Sequence, residues 1–149
     1  MPGTFTKLVY HLTFSTKHRL PHIAPDIRPR LYDYLGGSIC GERGTLYAIG
    51  GTADHVHLLI RWRPDMSLSD LMRNVKGGSS TWVHQTLGLR EFAWQEGYGA
   101  FTVSQSGIED VKAYIARQEE HHRVKTFKEE YIEFLDRHEI EYDLKYVFD

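Results

Sequence analysis

Two histidines separated by one residue, His55 and His57, have the spacing that first suggests chemistry in this chain. They lie in a run of β-branched and apolar residues that ends at Ile60 and is typical of a strand. Side chains two residues apart on a strand point to the same face, so the two imidazoles would lie side by side. Such a pair can bind one divalent metal ion through its ring nitrogens. The alternative is two ordinary polar residues on an open sheet face.

A tyrosine and a glutamine four residues apart, Tyr114 and Gln118, are the second candidate pair. The sequence predicts a helix at about 107–123, on which they would share a face. A phenol, with an ordinary pKa of about 10, becomes a useful nucleophile beside a metal ion that polarises a phosphodiester. The resulting tyrosyl phosphate ester keeps its bond energy, so a free 3′-hydroxyl can reverse the reaction. The alternative is a core or rim tyrosine beside a solvated glutamine.

The amide oxygen of Gln118 would complete a donor set with His55 and His57. Two imidazoles and one amide oxygen leave coordination positions open for phosphate oxygens and water. This set suits Mg²⁺ or Mn²⁺ rather than structural zinc, because a structural zinc site normally has four protein ligands and no open position. His122 could replace Gln118 as a ligand or bind phosphate, and His121 is a second accessory candidate. Both histidines could equally be surface residues.

Strands and helices alternate along the segments that would carry these residues. Strands are predicted at 8–16, 45–51, 55–62, 92–96 and 100–104, and helices at 26–41, 67–76, 82–87, 107–123 and 126–138. The short link at 52–54 predicts an antiparallel hairpin with a glycine-rich turn or bulge. This order indicates an α+β fold, namely a ferredoxin-like (RRM-like) antiparallel sheet with helices packed on one face. The other face would be open, and His55 and His57 could point to it.

Individual residue types indicate where the predicted helices begin, where one is interrupted and which side faces solvent. Ser67 has the type of an N-cap residue, and the Gly77–Ser80 segment is expected to interrupt the helix that follows it. Ser106 is expected to cap the helix of Tyr114, with Glu109 in the capping-box position. In the last helix, one run of charged residues is expected to face solvent: Lys128, Glu129, Glu130 and Glu133. The apolar tail at 142–148 is expected to pack on this subunit or on another.

Length and composition indicate one globular domain. The chain has 149 residues, 41% of them apolar and 26% charged, which is enough for one core. The single cysteine, Cys40, cannot form an internal disulfide, so a cytoplasmic location is expected. No apolar run approaches the length of a membrane span. Residues 1–90 hold 11 Lys/Arg and 6 Asp/Glu, whereas residues 91–149 hold 7 and 14. The first part could therefore face phosphates, unless the asymmetry is chance.

Five short motifs follow one another over most of the chain. They are Tyr10–Arg19, Ala53–Leu59, Lys76–Ser80, Trp94–Phe101, and Tyr114–Gln118 with His121 and His122. In this order they resemble the first strand, the His-hydrophobic-His strand, the Lys-Gly-x-Ser-Ser step, the late hairpin and the nucleophile helix of one family. That family is the single-tyrosine HUH transposases of small insertion sequences, with their REP-associated relatives.

The resemblance implies specific chemistry. It assigns His55, His57 and Gln118 as ligands of Mg²⁺ or Mn²⁺ and Tyr114 as the nucleophile. It implies one HUH domain over 1–149, with a nucleophile helix at about 107–123 and a C-terminal helix and tail at about 126–149. Members of the family cut and rejoin single-stranded DNA at hairpin-marked ends through a 5′-phosphotyrosine. They are typically homodimers, in which the tyrosine acts in cis or in trans.

The chain is less basic than expected for a protein that binds DNA hairpins, and Ala53 stands where the family often has proline. Phosphate binding is therefore expected from a few basic side chains of the first part, although each could simply be solvated. These candidates are Lys17, Arg19, Arg61, Arg63, Arg73 and Lys76. Two other functions remain open. One is a domesticated hairpin DNA- or RNA-binding module without strand transfer, and the other is a metal-dependent phosphodiesterase that uses water.

Overall fold

A four-stranded antiparallel sheet forms the centre of the computed structural model, which describes residues 3–149. Its strands are β1 (Leu8–Ser15), β2 (Thr45–Gly51), β3 (His55–Trp62) and β4 (Gly99–Thr102), in the spatial order β2-β3-β1-β4. Each neighbouring pair is antiparallel. The helices are α1 (Arg28–Gly41), α2 (Leu68–Thr86), α3 (Ile108–Ala116), α4 (Gln118–His121) and α5 (Phe127–Arg137). The α+β, ferredoxin-like prediction is confirmed.

Because side chains along β1 and β3 alternate between the two faces of the sheet, the main core lies on one face. Leu12 and Phe14 of β1 and Leu58 and Ile60 of β3 are fully or almost fully buried there. They pack with apolar side chains of α1 and α2, including Leu35. These two helices cover the face on which helices were expected.

The second face of the sheet is not open as expected, because α3 to α5 cover it. Val9 of β1 and Leu59 of β3 pack there with Ile108 and Ile115 of α3. Phe101 of β4 packs in a further apolar cluster, mostly with side chains of α5. Histidines on this face are therefore enclosed rather than exposed.

The expected interruption of the second helix at Gly77–Ser80 is wrong. Ser67 is the N-cap, accepting a hydrogen bond from the backbone N–H of Asp70, and α2 then runs unbroken to Thr86. Ser79 is buried and accepts a hydrogen bond of 2.8 Å from the indole of Trp94. The small residues thus allow close packing instead of ending the helix.

Three other local predictions are wrong. Of the two strands predicted at 92–104, the second is present as β4. The first is not a strand, since Trp94 makes only an isolated bridge with Thr16. The helix expected at 107–123 is divided at Arg117, whose φ of −106° and ψ of 24° are not helical. No side-chain hydrogen bond caps α3, whose N-cap is Gly107, so Ser106 is not its cap.

The C-terminal part packs on α5 only in places. Thr126 and Glu129 form a capping box at the start of α5. In the tail, Val147 and Phe148 contact the apolar cluster of α5, whereas Leu144 is exposed. The tail therefore packs on its own subunit, as expected, through its last residues. None of the helices in residues 3–149 has the length and hydropathy to cross a bilayer.

Candidate active site

His55 and His57 lie side by side on β3 and are fully buried. Their ring centroids are 5.0 Å apart. They share the sheet face covered by α3 to α5, as the two-residue alternation predicts. Burial lowers the pKa of His57 to about 4, although Glu130 acts in the opposite direction. His57 is therefore neutral near pH 7, the state in which an imidazole can bind a metal ion.

Neighbouring groups hold the second nitrogen of each imidazole. Nδ1 of His55 lies 2.8 Å from Oδ1 of Asp54, and Nδ1 of His57 lies 2.7 Å from Nε2 of His11. Burial alone would raise the pKa of Asp54, but the hydrogen bond from His55 lowers it below its usual value. These contacts orient both rings, which is the arrangement found around metal-binding histidines.

Gln118 reaches this pair despite the break in the helix. It is the first residue of α4, and its side chain is buried. Its Oε1 atom lies 3.0 Å from Nε2 of His55. The non-helical step at Arg117 therefore changes the helical geometry between Tyr114 and Gln118 without removing Gln118 from the imidazoles.

Tyr114, in the last turn of α3, brings its phenol to the same place. The ring centroids of Tyr114 and His57 are 5.8 Å apart. The phenol donates a hydrogen bond to Glu130, and its oxygen lies 3.3 Å from Nε2 of His121. Burial first, and then the hydrogen bond to Glu130, raise the pKa of Tyr114 far above its usual value. The structure therefore holds the phenol in its protonated form.

Glu130 of α5 lies at the centre of this cluster, although the sequence placed it on a solvated face. Only 1% of the residue is exposed. Its carboxylate lies 2.9 Å from Nε2 of His57 and 3.2 Å from Nε2 of His122. Burial alone would raise the pKa of Glu130, but hydrogen bonds from His122 and His57 lower it well below its usual range. One signal was available: Glu130 follows Phe127 by three residues and precedes Phe134 by four, on the apolar stripe of α5.

His122 and His121 differ in position. His122 is half-buried, and its Nδ1 lies 2.5 Å from the carbonyl oxygen of Lys125. His121 is more open to solvent, and its Nε2 lies 3.4 Å from Glu130. One potential ligand atom from each of His55, His57, His122 and Glu130 lies within 4.8 Å of the others. Imidazole nitrogens and a carboxylate are suitable donors for a divalent metal ion, so the residues present fit such a group.

The positive charges of three basic DNA-binding candidates are partly buried or are paired with a carboxylate. The ammonium group of Lys76 donates to the carbonyl oxygens of residues 95, 96 and 97 at 2.6, 2.9 and 2.8 Å. Burial lowers its pKa to about 8. Arg63 pairs with Asp65, and Arg73 pairs with Asp70.

The other three candidates are placed differently. Arg61 is exposed and donates to the carbonyl oxygen of Thr6 at 2.7 Å. Lys17 and Arg19 line a cavity of about 140 Å³ that Phe148 also lines. The guanidinium of Arg19 lies over the ring of Phe148, 5.5 Å from its centroid. These three side chains are not part of the histidine cluster.

Comparison with known proteins gives a consistent result. A family model described as transposase IS200 like matches residues 4–118. The transposase for insertion sequence element IS200 of Salmonella typhimurium is 28% identical over 116 residues, which cover 73% of this chain and 75% of that protein. The ISDra2 transposase TnpA of Deinococcus radiodurans is 27% identical over 123 residues, covering 78% and 87%.

Two solved structures share the fold. A putative transposase from Deinococcus radiodurans has a TM-score of 0.63 and 26% identity, covering 79% of this chain and 95% of its own. A REP-associated tyrosine transposase bound to a REP hairpin has a TM-score of 0.62 and 14% identity, covering 82% and 73%. The family match includes Tyr114 and Gln118 but ends before His122 and Glu130.

Proposed function

This chain belongs to the family of IS200-like transposases, and we propose that it cleaves and rejoins single-stranded DNA through a 5′-phosphotyrosine at Tyr114. The observation that carries the proposal is that Tyr114 lies beside the buried histidine pair of the same chain. The phenol oxygen and the imidazoles of His55 and His57 all lie around the carboxylate of Glu130.

His55, His57 and Gln118 would hold Mg²⁺ or Mn²⁺. When bound, such an ion would polarise the scissile phosphate and stabilise its developing negative charge. Asp54 and His11 support this role, because each fixes the ring of one histidine.

Tyr114 Oη attacks the phosphorus, the P–O3′ bond breaks, and the P–Oη bond forms. The phenolic proton passes from Oη to the carboxylate of Glu130, which accepts its hydrogen bond, and a proton returns from Glu130 through water to the departing 3′-oxygen. In rejoining, a 3′-hydroxyl attacks the phosphotyrosine and Tyr114 recovers its proton. No external energy source is needed, since each ester bond broken is replaced by another.

The substrate we propose is a hairpin in single-stranded DNA, which agrees with the hairpin bound by the REP-associated relative. Arg61, Lys17 and Arg19 would contact phosphates, and each contact would make binding weaker at higher salt. Because Tyr114 lies beside His57 of its own chain, we propose that the tyrosine acts in cis. The homodimer expected from the family stays a prediction.

A denaturing gel tests the proposal. Labelled single-stranded DNA from the flanks of the gene is incubated with the protein and Mn²⁺ or Mg²⁺. We expect a covalent protein–DNA band that is lost with chelator and with Tyr114→Phe, while binding to the hairpin persists. Tyr142→Phe is the matched control, because the Tyr142 phenol donates a hydrogen bond to Asp136, away from the cluster.

The same gel separates the other two functions. Cleavage without a covalent band, retained in Tyr114→Phe, would indicate the phosphodiesterase that uses water. Hairpin binding without cleavage under either metal would indicate the binding module. An adduct of unchanged yield in Tyr114→Phe would overturn the role of Tyr114.

A further inference from the structure

We propose that His122 and Glu130, which lie beyond the region matched by the family, are ligands of the same metal ion as His55 and His57. With the amide oxygen of Gln118, the centre would then have three imidazoles and one carboxylate, and would prefer transition-metal ions to Mg²⁺. This inference rests on the metal dependence of the proposed function, and adds two ligands and a selectivity to it.

The three imidazoles are each held at Nδ1, which leaves Nε2 for the cluster. The Nδ1 atom of His122 donates to the carbonyl oxygen of Lys125, since a carbonyl can only accept. The Nδ1 atom of His55 lies against Asp54 in the same way, and that of His57 against Nε2 of His11. A neutral imidazole with a proton on Nδ1 has its lone pair on Nε2. The acceptors at Nδ1 therefore favour this tautomer for His55 and His122, and His57 would adopt it when it binds an ion, with Nε2 of His11 as the acceptor of its Nδ1 proton.

The carboxylate of Glu130 supplies the fourth donor. It lies 2.9, 3.2 and 3.6 Å from Nε2 of His57, His122 and His55, respectively. The first two separations match the distance of about 3 Å between adjacent ligand atoms around an ion with bonds of about 2.1 Å, and the ligand atoms of all four residues lie within 4.8 Å of one another. A charged carboxylate is rarely buried unless it is paired or coordinates a metal ion, and this one is almost fully enclosed.

The donor types determine which ions would bind. Mg²⁺ keeps several waters and is usually bound by oxygen ligands, so three imidazole nitrogens make a poor site for it. Imidazole suits later transition metals, and affinity for nitrogen-containing sites rises from Mn²⁺ towards Cu²⁺. We therefore expect tighter binding of Mn²⁺ than of Mg²⁺, and tighter binding of Co²⁺ than of Mn²⁺.

Titration calorimetry on the full chain, with Mn²⁺ alone as the ligand, tests the proposal without any DNA. We expect Glu130→Gln to weaken Mn²⁺ binding by roughly tenfold or more, and His122→Ala to do the same. Glu133→Gln is the matched control, because Glu133 lies on the same helix and pairs with Lys125 at the surface. It should bind Mn²⁺ as the wild type does.

Pulsed electron paramagnetic resonance of the Mn²⁺-loaded wild type provides a check that needs no variant. Three coordinated imidazole nitrogens support the proposal, and two would overturn it. Glu130→Gln binding Mn²⁺ as tightly as the wild type, or more tightly, would also overturn it. In these cases a metal-dependent adduct at Tyr114 would leave the proposed function intact. A wild type that binds no Mn²⁺ would overturn both the inference and the metal dependence.

Discussion

Gly50 of β2 lies against the helix that carries Tyr114, so Gly50→Ala tests how that helix is positioned. A Cβ atom at this position would lie 2.5 Å from the carbonyl oxygen of Ile115 and 3.0 Å from its Cγ2 atom. The first contact is with backbone, which cannot rotate away as a side chain can. α3 would therefore have to move from the sheet, and Tyr114, the residue before Ile115, would move with it.

The size of the effect follows from this clash. Overpacking of this kind costs about 1–3 kcal/mol of unfolding free energy. For a chain of about 150 residues, each kcal/mol changes the melting temperature by roughly 2–4 °C, so we expect a decrease of roughly 2–12 °C. A displacement of the nucleophile by ~1 Å can slow a reaction about a hundredfold, so adduct formation should slow by up to that factor. Thermal unfolding followed by circular dichroism and single-turnover adduct formation measure the two effects.

Gly37→Ala is the matched control. Gly37 lies within α1, and a Cβ atom there would have no atom of residues 3–149 within 4 Å apart from its chain neighbours and the backbone of its own helix. Alanine should stabilise the helix by about 0.5–1 kcal/mol and leave adduct formation unchanged. A Gly50→Ala protein that melts at or above the wild-type temperature would refute the close contact between Gly50 of β2 and Ile115 of α3.

Three further predictions concern the groups around the site. Asp54→Asn should weaken Mn²⁺ binding by roughly tenfold, because the carboxylate no longer orients His55, and unchanged affinity in calorimetry would contradict this. Lys76→Met should lower the free energy of unfolding in urea by about 1–3 kcal/mol, because three carbonyl oxygens lose their donor, but should leave the salt dependence of hairpin binding unchanged. A smaller salt slope would instead make Lys76 a phosphate contact. Burial lowers the pKa of His11 to about 3 and of His57 to about 4, against 6.5 in the unfolded chain. The unfolded chain therefore binds more protons below pH 6.5, so stability without added metal should fall as the pH drops from 7 to 5. A melting temperature that rises over this range would contradict the assignment of both histidines as buried and neutral.

The sequence predicted the central strands because their signals are local. The alternation of side chains along a strand predicted that His55 and His57 share one face of β3. The bounds predicted for β2 and β3 are the observed ones. These features depend on the two-residue period of a strand, which the fold does not alter.

The sequence did not predict features that depend on distant contacts. The glycines and serines at 77–80 predicted a helix break, but they lie within α2. There Ser79 accepts a hydrogen bond from the indole of Trp94, which is distant in the sequence. Glu130 looked like part of a charged surface, and its burial follows from three histidines contributed by β3 and the segment after α4. The break at Arg117 likewise has no glycine or proline to mark it.

Mass spectrometry of the covalent product tests the central claim most directly. The wild-type protein is incubated with single-stranded hairpin DNA and Mn²⁺, the DNA is trimmed by nuclease, and the protein is digested to peptides. We predict that the peptide containing Tyr114 carries a nucleotide linked through its 5′-phosphate, and that the released DNA fragment ends in a 3′-hydroxyl. A nucleotide linked to a different residue, or cleaved DNA with no modified peptide, would contradict the account.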